Sequence, residues 1–381
     1  MLMPGKSEIS LYFHVPFCTK KCDYCHFYVI PDKNPFKIQY MEGLELEWNK
    51  ILPLLFGHKI CSIYFGGGTP SLLGADYIEK ILSWTRQIPW VSESIEITLE
   101  ANPENISKES MAAFANVGIN RVSIGIQSLD DGQLLTLSRQ HDAKKAKEAV
   151  ITVHEAGISN ISIDLMYDLP SQMLEQWKAT LIEAVKLPIT HLSLYNLVFE
   201  PHTVYYKKRA LLKSLLPSES ESASMYKLAV EICRDAGLMQ YEISAFQKNN
   251  HFSKHNTGYW QGRSFWGFGP SAFSYWEGKR FRNAANLNFY YKNLKNGLSP
   301  IDYEEELKGV DKLRELLAIN LRLLEGVNLY EFQQWHGELD QETFSSLHLL
   351  ERQGLVYSNQ KHIHLTEQGI LFYDSVATEI I

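Results

Sequence analysis

As far as Tyr195, apolar positions follow two alternating rhythms. Short runs rich in β-branched and aromatic residues have the length and composition of strands: Leu11 to Val15, Cys61 to Phe65, Ile95 to Leu99, Arg121 to Gly125, Ile161 to Leu165 and His191 to Tyr195. Between them, apolar residues recur every three or four positions, which predicts helices over Lys37 to Leu55, Lys108 to Ala115, Ala143 to His154 and Leu174 to Val185. Gly118 and Gly157 fall where helix C-caps are expected. Alternation of this kind implies a parallel sheet with helices packed outside it. Six βα units are fewer than the eight that close a barrel, so the expected architecture over residues 1–215 is α/β, an open partial (β/α)6 barrel.

The rhythm then changes. A helix over Glu219 to Gly237 leads into an aromatic-rich segment, and residues 216–300 are expected to form a unit of their own. Twelve of the 41 residues from Tyr241 to Phe281 are aromatic, against 12% overall, a density that suits a buried core or a site for a flat macrocycle. Beyond it, Leu313 to Leu324 and Glu342 to Gly354 look helical, while Leu355 to Tyr357 and His362 to Leu365 flank a polar turn and predict a hairpin. Residues 301–381 therefore read as a C-terminal α+β domain of winged-helix type. That tail holds six Lys/Arg against fifteen Asp/Glu, a net of −9 within a chain of −7, which leaves +2 for the first 300 residues. An acidic wing repels a phosphate backbone, so a nucleic-acid-binding module is the disfavoured use and no nucleic-acid partner is expected.

A hydrophobic fraction of 45% and a charged fraction of 21% exclude a disordered, collagenous or coiled-coil chain. No segment approaches the roughly 20 apolar residues of a membrane span, and Met1 to Phe17 lacks a signal-peptide core, so a cytoplasmic protein is expected.

The five cysteines are too few and too odd in number for a disulfide framework, and Cys18, Cys22 and Cys25 crowd together directly after the first predicted strand. Three thiolates on a short loop can hold three irons of a 4Fe–4S cluster, leaving the fourth open to a small chelating molecule. With His26 they also count as a Cys₃His zinc set, although the adjacent fourth ligand makes poor tetrahedral geometry. Cys22 to His26 matches the C-x-x-C-H attachment motif of c-type heme as well. Cys61 and Cys233 are isolated and read as small buried apolar residues.

The spacing C-x-x-x-C-x-x-C, with Tyr24 before the last cysteine, resembles the hallmark of the radical S-adenosylmethionine (SAM) superfamily. The surrounding Leu11-Tyr12-Phe13-His14-Val15-Pro16-Phe17-Cys18 is similar to the branch containing oxygen-independent coproporphyrinogen III oxidase and the HemW-type heme chaperones. This resemblance implies a cluster whose open iron binds SAM, and cleavage of the sulfonium to a 5′-deoxyadenosyl radical. It also implies cofactor contacts. Gly66 to Pro70, with Gly67, Gly68 and Thr69, resembles the GGGTP motif; Glu100, Gln127 and Asp164 lie at predicted strand ends, where ligands of such sheets bind. Arg139 matches the arginine of L-G-R-x-H with Ser138 for glycine, and Asp164 to Pro170 resembles D-L-x-x-G-L-P with Asp168 for glycine. Tyr12 falls at a cofactor-proximal tyrosine, and His14 can serve the cluster, the substrate or the core.

His255-Asn256-Thr257-Gly258-Tyr259-Trp260 matches the H-N-x-x-Y-W motif associated with heme in the chaperone branch. His255, Asn256, Tyr259 and Trp260 are accordingly candidate heme contacts, with His255 the axial ligand and Lys254, Arg263 and Arg282 available to the propionates. The oxidase carries a fourth cysteine where this chain has Phe27. The expected function is thus a heme chaperone on a radical SAM scaffold, the alternative being porphyrinogen oxidation. Its expected partners are heme or porphyrin, an electron donor of flavodoxin or ferredoxin type, and an unidentified heme acceptor.

Overall fold

The computed structural model describes residues 8–89, 91–359 and 361–381; residues 1–7 of the opening stretch lie outside them. Six strands pair in chain order, all parallel: β1 (Glu8–Val15), β2 (Lys59–Gly67), β3 (Val91–Ala101), β4 (Arg121–Gln127), β5 (Asn160–Tyr167) and β6 (His191–Asn196). Helices α1 (Asn34–Leu55), α2 (Ala75–Thr85), α3 (Lys108–Val117), α4 (Ala143–Glu155) and α5 (Leu174–Ala184) fill the crossovers. Gly118 and Gly157 end two of them in left-handed backbone, φ 112° and 90°.

The sheet grows at both edges instead of closing. After helix α6 (Glu219–Asp235), β7 (Met239–Glu242) and β8 (Ala245–Gln247) extend it antiparallel beyond β6. The chain then forms helix α7 (Lys254–Trp260) and returns as β9 (Phe265–Phe268), which lies parallel to β1. Strands β10 (Phe273–Trp276), β11 (Lys279–Asn283) and β12 (Ile301–Glu306) complete a twelve-stranded sheet. Residues 216–300 thus feed both edges of one sheet and share its core. The strand Ile301–Glu306, counted with the tail by sequence, is its outer edge, and the tail's own core begins at Leu316. That tail sets helices Gly309–Asn320, Leu329–His336 and Gln341–Arg352 on a three-stranded sheet whose Val356–Ser358 and His362–Leu365 form the predicted hairpin. Among the described residues no helix is long and apolar enough to cross a membrane.

Strand alternation divides the central sheet into an apolar and a polar face. Ile9, Leu11, Phe13 and Val15 of β1 are fully buried in the apolar core. Ser10, Tyr12 and His14 face the other way, into the barrel lumen, with Ser62 and Tyr64 of β2 and Glu96, Thr98 and Glu100 of β3. Polar groups buried there must be paired. Ser62 donates to Ser10 (2.9 Å), Tyr64 to Glu100 (2.8 Å) and Ser123 to Asp164 (3.4 Å).

The segment crossing beneath the lumen forms its floor. Glu96 accepts the backbone N–H groups of Lys254 and His255, each at 3.0 Å, and so holds the start of α7. His255 is 1% exposed, with Nδ1 2.9 Å from Ser62 Oγ and Nε2 2.7 Å from Tyr259 Oη. Because Ser62 gives its proton to Ser10, Nδ1–H donates to Ser62 and Nε2 accepts from Tyr259. His191 repeats the arrangement with Ser162 (2.8 Å) and Tyr241 (2.9 Å). Burial pushes the His255 imidazole down to about 3 and His191 well below its ordinary value. As folded, both ring nitrogens of His255 are engaged by hydroxyl groups, Ser62 on one side and Tyr259 on the other.

Both imidazoles stay neutral in the fold, so below the ordinary value of 6.5 the unfolded chain binds more protons. Stability present above pH 6.5 is therefore lost as pH falls toward 3. His255→Ala is expected to lower stability at neutral pH by roughly 2–4 kcal/mol. It should also flatten the acid slope by about 1.4 kcal/mol per pH unit. Denaturant titrations across that range measure both.

Candidate functional site

The site stands at the carboxyl ends of β1 to β5. Beyond β1 the short strand Phe17–Cys18 pairs with Ile30–Pro31 and ties off a loop carrying Cys22 and Cys25. Inside it Cys25 N–H donates to the Cys22 carbonyl (3.1 Å). All three cysteines are free and half-buried. Burial raises the Cys18 and Cys25 thiols, and the charge of Cys22 raises both further, so the three sulfurs lie within electrostatic reach of one another. Among the described residues no three His, Cys, Asp or Glu side chains are already gathered in metal-ligating geometry. The loop holds the thiols as neighbours without drawing them to one point. His26 lies against Phe27, ring centres 4.4 Å apart.

A chain of hydrogen bonds links two of these sulfurs through the ends of β2, β3 and β4. Cys18 Sγ lies 3.3 Å from Thr69 Oγ1, which accepts from Asn102 Nδ2 at 3.0 Å. Asn102 Oδ1 accepts from Arg139 Nη2 (2.8 Å), and Arg139 Nη1 reaches Cys22 Sγ at 3.5 Å. Arg139 also donates to the Gly125 carbonyl (2.6 Å), and Gln127 ends β4 in left-handed backbone, φ 65°. Asn102, the hub of this chain, was not among the sequence candidates. Its signal was present: it follows Glu100 by two positions in the same strand-end stretch.

The glycine loop is packed closely by the chain's own atoms. A Cβ on Gly67 would fall 2.7 Å from His14, one on Gly66 2.9 Å from both Tyr12 and Tyr64, and one on Gly68 2.6 Å from the Phe17 carbonyl oxygen. The chain's own atoms fill that space. Gly68 N–H donates to Val15 O (2.9 Å) and Thr69 N–H to Phe17 O (2.7 Å), so the glycine loop and the cysteine loop are bonded backbone to backbone. His14 donates through Nε2 to Tyr28 O (3.1 Å), which leaves Nδ1 to accept from Tyr12 Oη (3.2 Å). Burial pushes the His14 imidazole down to about 4.

Two carboxylates face the lumen beside this interlock. Glu100 accepts from Tyr64 Oη (2.8 Å) and Gly67 N–H (3.1 Å), yet burial pushes it up to about 7. Burial likewise pushes Asp164 up to about 6, against the opposing pull of a Ser193 hydrogen bond and the Arg121 charge. Arg121 is 1% exposed and was missed as a lumen cation, because an arginine opening a strand reads as a surface residue. Both acids are poised to accept from a cationic or hydroxyl-bearing guest.

A cavity of about 980 Å³ opens between the cysteine loop, strands β9 to β11 and the first tail helix. Its lining includes Phe27, Tyr28, Tyr259, Trp260, Phe265, Phe273 and Tyr275, with Arg263, Arg280, Arg282 and Lys312. Arg282 is paired with Asp302 (3.0 and 3.1 Å) and Arg280 with Glu315. The lining imidazoles are His14, whose nitrogens are both engaged, and the exposed His26 and His202. Tyr259 and Trp260 of the predicted heme motif reach this cavity, whereas His255 and Asn256 are not part of its lining. Lys254 reaches Ser94 O at 2.7 Å instead.

The two motif departures keep the loop shapes. Ser138 and Asp168 take φ 53° and 59°, the left-handed region in which glycine is unstrained. Each side chain gives something in return. Ser138 Oγ accepts Asp23 N–H of the cysteine loop (3.0 Å), and Asp168 Oδ2 accepts from Ser222 of α6 (2.7 Å). Ser138→Ala keeps the strain and loses the bond, and is expected to cost about 1 kcal/mol in thermal unfolding. Ser138→Gly exchanges one for the other and should stay within about 0.5 kcal/mol of the parent.

Comparison with known proteins supplies the lineage. The radical SAM superfamily matches residues 12–184, and the HemN C-terminal domain matches residues 307–372. The heme chaperone HemW of Bacillus subtilis is 31% identical over 96% of this chain and 97% of its own length. HemW of Lactococcus lactis is 32% identical over 94% of each chain. The mitochondrial radical S-adenosyl methionine domain-containing protein 1 of Danio rerio is 31% identical, covering 98% of this chain and 87% of its own. Among solved structures, coproporphyrinogen III oxidase (HemN) of Escherichia coli superposes with a TM-score of 0.85 at 23% identity, over 98% of this chain and 90% of that one, and shares its fold. With a cysteine loop and glycine loop locked together at the mouth of a six-stranded parallel sheet, and these relatives along nearly its whole length, the chain belongs to the radical SAM superfamily, in the branch that contains the HemW heme chaperones.

Proposed function

We propose that this protein is a heme chaperone. On this reading it binds a 4Fe–4S cluster and SAM at the lumen mouth, takes up heme in the aromatic cavity and passes it to an acceptor protein in the cytoplasm. The cavity is the observation that carries the reading: it adjoins the cysteine loop, is walled by aromatic rings, and is rimmed by cations suited to propionates. Relatives named as heme chaperones support it, and Phe27 occupies the position of the oxidase's fourth cysteine.

The donor set suits the cluster. Cys18, Cys22 and Cys25 are free, half-buried neighbours, and Thr69 and Arg139 stand ready to stabilise thiolate charge at Cys18 and Cys22. The cluster, when bound, supplies one electron to the SAM sulfonium. Tyr12, Gly67, Gly68, Thr69, Glu100, Gln127, Arg139 and Asp164 are the proposed SAM contacts. With Glu100 at about 7 and Asp164 at about 6, a cationic guest gains affinity as pH rises through that range and both carboxyls ionise. His26 and His202, the lining histidines other than His14, would be the residues able to offer heme an imidazole.

Titrating heme into the anaerobically reconstituted protein tests this. The double variant His26→Ala/His202→Ala is expected to lose the imidazole-shifted Soret band while keeping its iron and sulfide content. An unchanged band removes both histidines as ligands. Anaerobic turnover of coproporphyrinogen III to protoporphyrinogen would replace the chaperone reading with the oxidase one.

A further inference from the structure

Among the described residues that line the aromatic cavity there are five cations, Lys21, Arg263, Arg280, Arg282 and Lys312, and one carboxylate, Glu315. A lone acid in a wall otherwise fitted for anions calls for a reason. Lys21 and Arg263 are held by backbone carbonyls, those of Phe27 (2.9 Å) and Lys254 (3.1 Å). Arg282 is forked onto Asp302 of the neighbouring strand β12, an acid outside the lining. Arg280 differs. Its guanidinium, on β11, is ion-paired to Glu315 of the tail helix Gly309–Asn320, so this pair has both members in the cavity wall and joins the sheet to the tail. Glu305 of β12 stands 3.4 Å from Arg280, again outside the lining, and accepts from Tyr303 Oη at 3.0 Å. The side chains of Arg280 and Glu315 keep 36% and 20% of their surface exposed, so a guest in the cavity can reach both.

An empty cavity shaped for a dianion faces a difficulty: cations gathered for the cargo repel one another, and burial makes an unpaired charge costly. Glu315 relieves this by lending Arg280 a carboxylate. A cargo carboxylate brings the same charge and the same two acceptor oxygens, so it can take over the guanidinium without leaving Arg280 unpaired. The displaced Glu315 has Lys312 three residues earlier on its own helix, at a spacing where opposite charges meet. A cargo without carboxylates cannot make the exchange and meets the pair closed.

We propose that the Arg280–Glu315 pair is a cargo-selective latch, in which a heme propionate displaces Glu315 from Arg280; this rests on the reading that heme occupies the aromatic cavity. The exchange changes no covalent bond. It favours porphyrins with free carboxylates over those without them, and it frees the tail helix from its ion pair to the sheet. Arg282, whose partner lies outside the wall, keeps that partner throughout.

The test titrates ferric heme and its dimethyl ester, in which both propionates are neutral, into the full-length protein and follows the Soret band. Glu315→Gln is expected to tighten heme binding about tenfold, because the cargo no longer has a rival for Arg280, and to leave ester binding within about twofold of the parent. Arg280→Gln is expected to weaken heme binding about tenfold and again to leave the ester unmoved. Ester binding shows in each variant that the cavity is still formed. Glu304→Gln removes the same charge from the outer edge strand and should leave both affinities within about twofold. Unchanged heme affinity in Glu315→Gln, or equal shifts for heme and ester, overturns the latch and leaves the chaperone reading in place. A parent that binds neither ligand removes the chaperone reading and the latch with it.

Discussion

Burial of polar groups on the inner face of a parallel sheet is the constraint on which the rest depends. Serine, tyrosine, glutamate, arginine and histidine side chains inside the lumen are tolerated because each strand supplies partners to the next. Where the lumen is closed, at the floor, the buried histidines are paired with hydroxyl groups and stay neutral. At the mouth, Glu100 and Asp164 have hydrogen-bond donors and are nevertheless weak acids, because burial disfavours their charge.

The cysteine loop is positioned by the same logic carried into the backbone. Gly68 and Thr69 bond to the strand that leads into Cys18, while Thr69, Asn102 and Arg139 bridge the flanking strand ends to Cys18 and Cys22. None of the three glycines has space for a side chain. The GGGTP sequence is therefore first a joint between two loops, and its relation to a ligand follows from where that joint holds them.

Strand order and helix positions were legible because alternation and helical spacing are local properties of the chain, and all six predicted strands pair as expected. The origin of the sheet's outer strands was not legible. Nothing in residues 239–306 says that one stretch pairs with β6 and a later one with β1, since that depends on where the chain crosses the barrel. The surroundings of His255 were not legible for a related reason: a motif marks a residue without saying which way the side chain faces, and here Ser62 and Tyr259 flank its ring. Ser138 and Asp168 are the converse case. They depart from the family's glycines in side chain while keeping the backbone turn, because each finds a hydrogen bond that offsets its strain.

The crossing from β8 through α7 to β9 has a mechanical consequence. One continuous stretch of chain is fastened to opposite edges of the sheet and riveted to its middle where Glu96 grips the start of α7. It acts as a tie-rod beneath an open hoop, so the edges cannot splay without tearing the rod from its rivet. The width of the lumen mouth is thereby set from below.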